Sequence, residues 1–179
     1  FSAGYDGNKF IKSINFSLEK AEWLGIIGAN GSGKSTLLKG ISRIIETYSG
    51  KVYLYGHDIH LFSSKEIAKK VSVLPQQQKD NLPLTVYELV CLGRSPHKKW
   101  WELELNEKDH MKVKTAIDLA DMRTFKNKPI HSLSGGQRQR AFLALALAQD
   151  SKIILLDEPT TFLDIRYQLQ FFDLLKRLN

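Results

Sequence analysis

The 179-residue sequence predicts an α/β fold with a mixed sheet and an inserted helical subdomain, on three observations. A mostly apolar run at 23–27 ends in glycines and leads into a helical pattern, as a buried strand followed by a helix would. A second apolar run at 152–156 ends in two acidic residues and precedes another helical pattern. The stretch at 80–135 shows helical patterns without strand patterns, so we expect it to be an insertion into the core.

These patterns predict a single domain over 1–179 with two parts. We expect residues 1–79 and 136–179 to form an α/β core with an N-terminal β subdomain, and residues 80–135 to form the helical subdomain. The sequence does not begin with Met and stops at Asn179 within a helical pattern. We therefore expect the protein to be longer at both ends.

Further local signals place the elements of the first half. Apolar residues spaced near 3.6 predict a helix over 35–45. β-type runs predict strands at 52–55 and at 71–74, and Pro75 ends the second of them.

Helix-start signals place the elements of the second half. Thr85 stands three residues before Glu88, which is the pattern of a capping box and predicts that a helix begins there. A further helix is expected from near Asn106 to Met122. The last helix begins near Ile165, and the face expected to pack on the sheet consists of Ile165, Leu169, Phe172 and Leu175.

Composition and sequence patterning argue against a disulfide-bonded, membrane-spanning or secreted protein. The single cysteine, Cys91, cannot form an internal disulfide, which favours a reducing cytoplasm. No apolar run approaches the ~20 residues of a membrane-spanning helix, and no secretion signal is visible. The net charge of +7 comes from scattered lysines and arginines. Nucleotide phosphate or an anionic membrane surface explains this excess as well as nucleic acid does, and we expect no nucleic-acid partner.

Residues 28–35 carry the strongest chemical signal, since they match G-x-x-x-x-G-K-[ST] between a predicted strand and a predicted helix. Such a loop points backbone N–H groups at phosphate oxygens, and the helix start adds partial positive charge. Lys34 would reach the β- and γ-phosphates, and the Ser35 hydroxyl would bind Mg²⁺. The alternative is a structural glycine turn. The predicted phosphate-binding set is Gly28, Ala29, Asn30, Gly31, Ser32, Gly33, Lys34, Ser35 and Thr36.

Asp157 and Glu158 follow the second apolar strand directly. A central strand would deliver these carboxylates beside the phosphate loop, at the carboxyl edge of the sheet. We expect Asp157 to hold Mg²⁺ and Glu158 to polarise the attacking water, as a general base does. An ordinary strand end is the alternative.

A second candidate anion site lies at 133–137, with the sequence LSGGQ. Ser134 and Gln137 form another capping-box pattern, and the two glycines between them leave backbone N–H groups bare. One bound nucleotide has little use for two phosphate cradles. We therefore expect each cradle to serve the nucleotide of a different subunit, although a capped helix without further function is the alternative.

The glycine loop, LSGGQ and the acidic strand end, in this order, resemble the nucleotide-binding domain of ABC transporters over essentially the whole chain. The resemblance implies that the core is a RecA-like P-loop NTPase core. It implies ATP and Mg²⁺ as cofactors, and ATP hydrolysis coupled to transport. It also implies a second nucleotide-binding domain, from a copy of the same chain, and transmembrane permease subunits as partners. A substrate-binding protein would act indirectly. The expected location is the cytoplasmic face of a prokaryotic cell membrane.

The resemblance also implies roles for single residues. Tyr5 would stack on adenine, and Gln76 would touch Mg²⁺ or water beside the catalytic Glu158 and Lys34. A surface turn and a solvated polar cluster are the respective alternatives for Tyr5 and Gln76. The sequence at 163–164 resembles the end of the D-loop. The residues that would close over the partner's γ-phosphate are Ser134, Gly136 and Gln137, and Gly135 between them is also predicted to bind nucleotide.

Two segments, at 92–97 and 158–165, are similar to importers of iron–siderophore complexes, haem and cobalamin. The Thr-Phe pair at 161–162 departs from the commoner Ser-Ala but fits that subgroup. The family's switch histidine would lie beyond Asn179. We expect surface or packing roles for His57, His60, His97, His110 and His131.

Trp100 and Trp101 lie where the family receives a helix of the membrane subunit, so they could line that groove. Ordinary packing inside the insertion is the favoured interpretation of this pair. Two other functions stay open for the whole chain. One is a soluble ABC-type ATPase that acts on DNA or ribosomes, and the other is a non-catalytic regulator with the same fold.

Overall fold

The computed structural model describes residues 2–5, 8–11, 14–76, 82–102, 104–160 and 165–178. The chain divides into two compact units, Phe1–Ile67 and Ala68–Asn179. Helices and both antiparallel and parallel strand pairs occur in the described ranges, as the predicted α/β class requires. None of the helices in those ranges combines the length and the apolar character needed to cross a bilayer.

Three strands of the first unit form an antiparallel sheet. Strand β1 (Ser2–Tyr5) lies between β2 (Asn8–Ile11) and β3 (Thr47–Ser49). Tyr5, the last residue of β1, pairs with Asn8 at the hairpin between β1 and β2.

A second antiparallel pair in this unit joins β4 (Tyr53–Leu54) to β5 (His57–Asp58). The connecting residues, Tyr55 and Gly56, both have positive φ, at 52° and 79°. This is the conformation of a two-residue hairpin turn that matches strand twist. The strand predicted at 52–55 is therefore shorter, because the turn already begins at Tyr55.

The prediction of a buried strand at 23–27 is wrong. None of the strand ladders in the described ranges includes these residues, and Trp23 and Ile27 are 52% and 98% exposed. An apolar run favours burial, but a strand also needs a neighbouring backbone that accepts and donates its hydrogen bonds. That neighbour is a property of the tertiary fold, which a local pattern does not specify.

Helix α1 (Lys34–Ile41) begins one residue before the predicted span of 35–45 and ends four residues before its end. The chain leaves the helix because Arg43 has a left-handed φ of 56°. The guanidinium group of Arg43 donates to the carbonyl oxygens of Ile59 and Phe62 at 3.1 and 2.7 Å. These bonds fix the turn that the chain makes at Arg43. A single 3₁₀ turn (Ile59–Leu61) and helix α2 (Ser64–Lys70) follow.

The second unit contains a parallel strand pair. Strand β6 (Val71–Leu74) runs beside β7 (Ile153–Leu156), with Val71 opposite Ile153 and Leu74 opposite Leu156. The predicted strand at 71–74 has the observed bounds, and the one at 152–156 begins a residue later. The carboxyl ends of both strands lie at one edge, so the residues that follow them are brought together.

Three helices of this unit share one apolar core. They are α3 (Val86–Leu92), α4 (Glu107–Leu119) and α5 (Gly135–Ala148), with 3₁₀ turns at Ser95–His97, Arg123–Phe125 and Ile130–Ser132. The helices meet through the fully buried side chains Val86, Leu89, Val90, Val113, Ala116, Ile117, Ala141, Ala144 and Ala148.

Helix α3 begins at its predicted cap, but α4 stops short of the predicted end at Met122. It ends at Leu119 because Asp121 adopts a left-handed φ of 55°, which turns the chain out of the helix. No strand occurs in the described part of 80–135, as predicted.

The buried face of helix α6 (Ile165–Leu178) differs from the predicted one. The side chains that pack against Leu74 and Leu143 are Phe171, Leu174 and Leu175. Of the predicted face only Leu175 is buried, while Ile165, Leu169 and Phe172 are exposed. Two apolar stripes with helical spacing run along α6, and spacing alone does not show which one meets the core.

Candidate functional site

The glycine-rich loop before α1 is shaped by left-handed backbone. Gly31 and Gly33 have φ of 78° and 94°, and Gly33 is the residue that caps the helix. Such values strain any residue with a Cβ atom, so glycine is required here. The loop is exposed, and its path ends at the amino terminus of α1, where backbone N–H groups favour an anion.

The side chain of Lys34 bonds back to the start of this loop. Its ammonium nitrogen donates to the carbonyl oxygens of Gly28 at 2.9 Å and Ala29 at 3.1 Å. A Cβ atom on Gly28 would come within 2.8 Å of Oγ of Ser32, so the Ser32 hydroxyl would have to rotate to accept a larger residue there. The cationic head of Lys34 is therefore held against the first two residues of the loop.

The carboxyl edge of the parallel pair brings together two residues that are 82 positions apart. Nε2 of Gln76, after β6, donates to Oε2 of Glu158, after β7, at 2.5 Å. Asp157 is 5% exposed, and its backbone N–H donates to the carbonyl oxygen of Leu74 at 3.0 Å. The edge thus presents two carboxylates and an amide that orients one of them.

Glu158 stands in a strained backbone conformation, with φ of 47°. A left-handed φ in a residue other than glycine costs on the order of 1–3 kcal/mol and is maintained only where the surroundings impose it. Such strain is common at functional sites. Here the strained residue is the one whose carboxylate accepts the hydrogen bond of Gln76.

The predicted cap of the LSGGQ segment is confirmed. The Ser134 hydroxyl accepts from the backbone N–H of Gln137, and the Gln137 side chain accepts from the N–H of Ser134, at 3.3 and 3.2 Å. Ser134 and Gly135 are exposed. The amino terminus of α5 is therefore a preformed cradle of N–H groups that faces solvent.

The carboxyl edge of the parallel pair carries two of the three predicted Mg²⁺ ligands, the amide of Gln76 and the carboxylate of Asp157. Hard oxygen donors of this kind suit Mg²⁺. The third predicted ligand, the hydroxyl of Ser35, lies in the first unit. Gln76 uses its amide nitrogen on Glu158, which leaves its amide oxygen as the donor for a cation.

The other predicted site residues lie at a strand end, in a turn or outside the described residues. Tyr5 ends β1, and the D-loop prediction at 163–164 lies outside the described residues, as does the 161–162 pair. Trp100 and Trp101 are 88% and 58% exposed in a turn, so ordinary packing, the favoured interpretation of this pair, is wrong.

Two of the histidines have packing roles, as expected. Nε2 of His97 lies 2.8 Å from the carbonyl oxygen of Gln149, and the ring of His110 stacks on Tyr87.

Sequence reasoning missed a buried ion pair. Nε of Arg94 donates to Oδ1 of Asp109 at 2.8 Å, and both side chains are more than nine-tenths buried. Burial by itself raises the pKa of Asp109, but the hydrogen bond and charge of Arg94 outweigh it and hold that pKa below its usual range. No sequence pattern links these two residues, which are 15 positions apart.

Comparison with known proteins agrees with this geometry. The family model described as ABC transporter matches residues 11–161. The chain is 46% identical over 176 residues to the iron(3+)-hydroxamate import ATP-binding protein FhuC of Bacillus subtilis, covering 98% of this chain and 65% of that protein. It is 43% identical over 169 residues to the petrobactin import ATP-binding protein FpuC of Bacillus anthracis, covering 94% and 62%. The chain thus spans less than two thirds of these relatives.

A solved structure is similar over almost the whole chain. It is the dimeric post-hydrolysis state of the ATP-binding cassette MJ0796 bound to ADP and Pi, which matches with a TM-score of 0.78 at 31% identity. The match covers 99% of this chain and 78% of that one. With the family model matching most of its residues, the chain belongs to the ABC transporter family and forms its ATP-binding cassette.

Proposed function

We propose that this chain is the ATP-binding subunit of an ABC importer, and that it couples ATP hydrolysis in a head-to-tail dimer to uptake of an iron chelate. The observation that carries the hydrolytic part is the contact between Gln76 and Glu158 beside the buried Asp157. It supplies an oriented carboxylate next to a second one, as activation of water near a metal-bound phosphate requires.

The glycine loop and the residues at the carboxyl edge of the strand pair would each supply part of the reaction. The glycine loop and Lys34 would hold the β- and γ-phosphates and neutralise their charge. Bound Mg²⁺, held by Ser35, Gln76 and Asp157, would add charge neutralisation of the same kind. Glu158 would accept the proton of the attacking water, and the Gln76 amide would keep its carboxylate oriented. Tyr5 would stack on the adenine.

The exposed amino terminus of α5 supports the dimer. Gly135 and Gly136 leave N–H groups at the exposed helix start, and the Ser134–Gln137 capping box fixes the backbone that carries them. In a head-to-tail dimer this cradle would meet the γ-phosphate of the partner's ATP. With a core of 1–79 and 136–179 and a helical subdomain of 80–135, Ser134 and Gly135 of the cradle would belong to the helical part.

The relatives' names support the cargo and partners. Both are import ATP-binding proteins, one for iron(3+)-hydroxamate and one for petrobactin. We infer a siderophore–iron complex rather than haem or cobalamin as cargo, permease subunits as direct partners and a substrate-binding protein as an indirect one. The subunit would sit at the cytoplasmic face of a prokaryotic membrane. These relatives favour transport over action on DNA or ribosomes.

Mixed dimers test this proposal. Lys34→Ala would disable the phosphate loop, and Ser134→Glu would place a carboxylate against the γ-phosphate, so each full-length variant alone should lose ATP turnover. In an equal mixture about half of the dimers are mixed, and each of these has one composite site free of both substitutions, as the symmetry of a head-to-tail pair requires. Turnover should return to about a quarter of the wild-type rate.

A mixture as inactive as the separate variants would contradict the head-to-tail site. With permease subunits in vesicles, the same mixture should restore ATP-dependent uptake of an iron(3+)-hydroxamate. Restored ATP turnover without uptake would contradict the cargo but leave the ATPase assignment intact.

A further inference from the structure

The carboxyl terminus of α5 is held by residues of one short motif, at 92–97. Arg94 and His97 donate hydrogen bonds to the carbonyl oxygens of Ala148 and Gln149, at 2.7 and 2.8 Å. The last carbonyl groups of a helix have no partner within the helix, so each of these bonds satisfies one that would otherwise be lost. The motif therefore acts as a side-chain cap on α5.

Arg94 joins three helices. It follows the end of α3, its Nη1 donates to Ala148 at the end of α5, and its Nε donates to Asp109 in the first turn of α4. The guanidinium group is buried, and a cation at a helix carboxyl terminus also interacts favourably with the helix dipole. The position of the helix end is thus tied to both neighbouring helices by one rigid group.

The other motif residues tighten the same junction. A carbonyl oxygen only accepts, so the bond to Gln149 requires that Nε2 of His97 carry the proton. Gly93 lets α3 approach α5 closely, because a Cβ atom there would lie 2.4 Å from the carbonyl oxygen of Leu145 and 3.1 Å from Cβ of Ala148. Three residues of the motif therefore meet the last turns of α5.

The junction continues to the sheet. Nε2 of Gln149 donates to the carbonyl oxygen of Val71, the first residue of β6, at 2.9 Å, and also bonds the carbonyl oxygen of Ala68. The other end of β6 leads to Gln76 and its bond to Glu158. The end of α5 is thus connected to the helices on one side and to the strand that carries Gln76 on the other.

We propose that Arg94 and His97 are positioning residues that set the direction of α5 and so place the Ser134–Gly136 cradle against the partner's nucleotide. This inference rests on the proposed head-to-tail ATPase. The 14 residues of α5 span about 21 Å, so a tilt of about 5° at the anchored end moves the cradle by about 2 Å. Misplacement by ~1 Å at a reacting centre can cost ~10²-fold in rate.

The expected effect is a loss of kcat with little change in the KM for ATP. ATP first binds to the phosphate loop of its own chain, which loss of the anchor leaves intact. The cradle contributes when the dimer closes on the reacting phosphate. An interaction made only in that closed state lowers kcat and kcat/KM together when it is removed.

Two sets of variants test the proposal in the full-length protein. Arg94→Met with Asp109→Leu removes the anchor and avoids an unpaired buried charge, since apolar pairs of similar volume often replace buried ion pairs well. His97→Leu removes the second bond, whereas His97→Gln keeps an N–H donor for Gln149. Lys112→Met is the control, because the Lys112 ammonium group binds the exposed Asp150 carboxylate beside the same helix end at 3.0 Å.

We expect the double variant and His97→Leu to lower kcat by about tenfold or more, with KM for ATP within about twofold of wild type. His97→Gln should recover most of the kcat, and Lys112→Met should match wild type. If the double variant fails to fold, the comparison of His97→Leu with His97→Gln still tests the proposal. Wild-type kcat in His97→Leu, an effect on KM alone, or equal loss in His97→Leu and His97→Gln would overturn the proposal. A wild-type protein that binds ATP analogues but shows no turnover would instead contradict the proposed function.

Discussion

Nε2 of Gln76 lies 2.5 Å from Oε2 of Glu158, at the point where two parallel strands end side by side. If this amide orients the general base, Gln76→Ala should lower kcat by about 10²-fold or less, within the range of general-base contributions. ATP affinity should stay nearly unchanged. Steady-state ATP turnover of the full-length chain measures this, with nucleotide binding as the control. Wild-type kcat in Gln76→Ala would contradict the role of the amide.

The glycine loop allows a graded test of phosphate binding. Gly31→Ala strains a φ of 78°, so the loop must change its path and the Kd for ATP should rise about tenfold or more. Gly28→Ala brings a Cβ atom to 2.8 Å from Oγ of Ser32, a hydroxyl that can rotate away, and should weaken binding less. Gly25→Ala is the matched control, because an added Cβ there meets no atom within 4 Å. Equal affinities in all three, by titration with a fluorescent ATP analogue, would contradict the loop's role.

The two capping boxes allow stability to be separated from function. Thr85 caps α3 and Ser134 caps α5 with the same reciprocal bonds. Replacing either with Ala should lower the free energy of unfolding by about 1 kcal/mol, measured by urea denaturation. Only Ser134→Ala should also reduce ATP turnover, because only that cap belongs to the cradle. A similar loss of turnover in Thr85→Ala would show that reduced stability explains both.

These caps also show what local sequence encodes. Each capping box depends on two residues three positions apart, so the pattern alone locates the helix start. The Gln76–Glu158 contact is different, because it joins residues 82 positions apart and arises only when β6 and β7 pair in register. The resemblance to a family named both residues, but no local pattern places them in contact.

The wrong and missed predictions also concern contacts between residues that are distant in sequence. The run at 23–27 is apolar enough for a buried strand, yet none of the hydrogen-bonded strand pairs in the described ranges includes it. Helix α6 has two apolar stripes, and the core contacts select the one with Phe171 and Leu174. The buried Arg94–Asp109 pair was missed because two charged residues 15 apart in sequence carry no signal of burial.

The same buried pair predicts a pH dependence of stability. Arg94 holds the pKa of Asp109 below its usual value of about 4, so the unfolded chain takes up a proton at higher pH than the folded one. The stabilisation is present above about pH 4 and is lost as the pH falls through the folded pKa. The double variant Arg94→Met with Asp109→Leu should lose less stability than wild type between about pH 5 and pH 3, by denaturation at each pH. Parallel pH profiles would contradict this.

The most direct test of ATP hydrolysis by a closed dimer is a paired measurement on the full-length chain with Glu158→Gln. The amide keeps the shape of the side chain but cannot accept the proton of the attacking water. We expect turnover to fall by about 10²–10⁴-fold, while ATP still binds and still drives dimerisation. Turnover at the wild-type rate in Glu158→Gln would contradict the assignment of Glu158 as the general base.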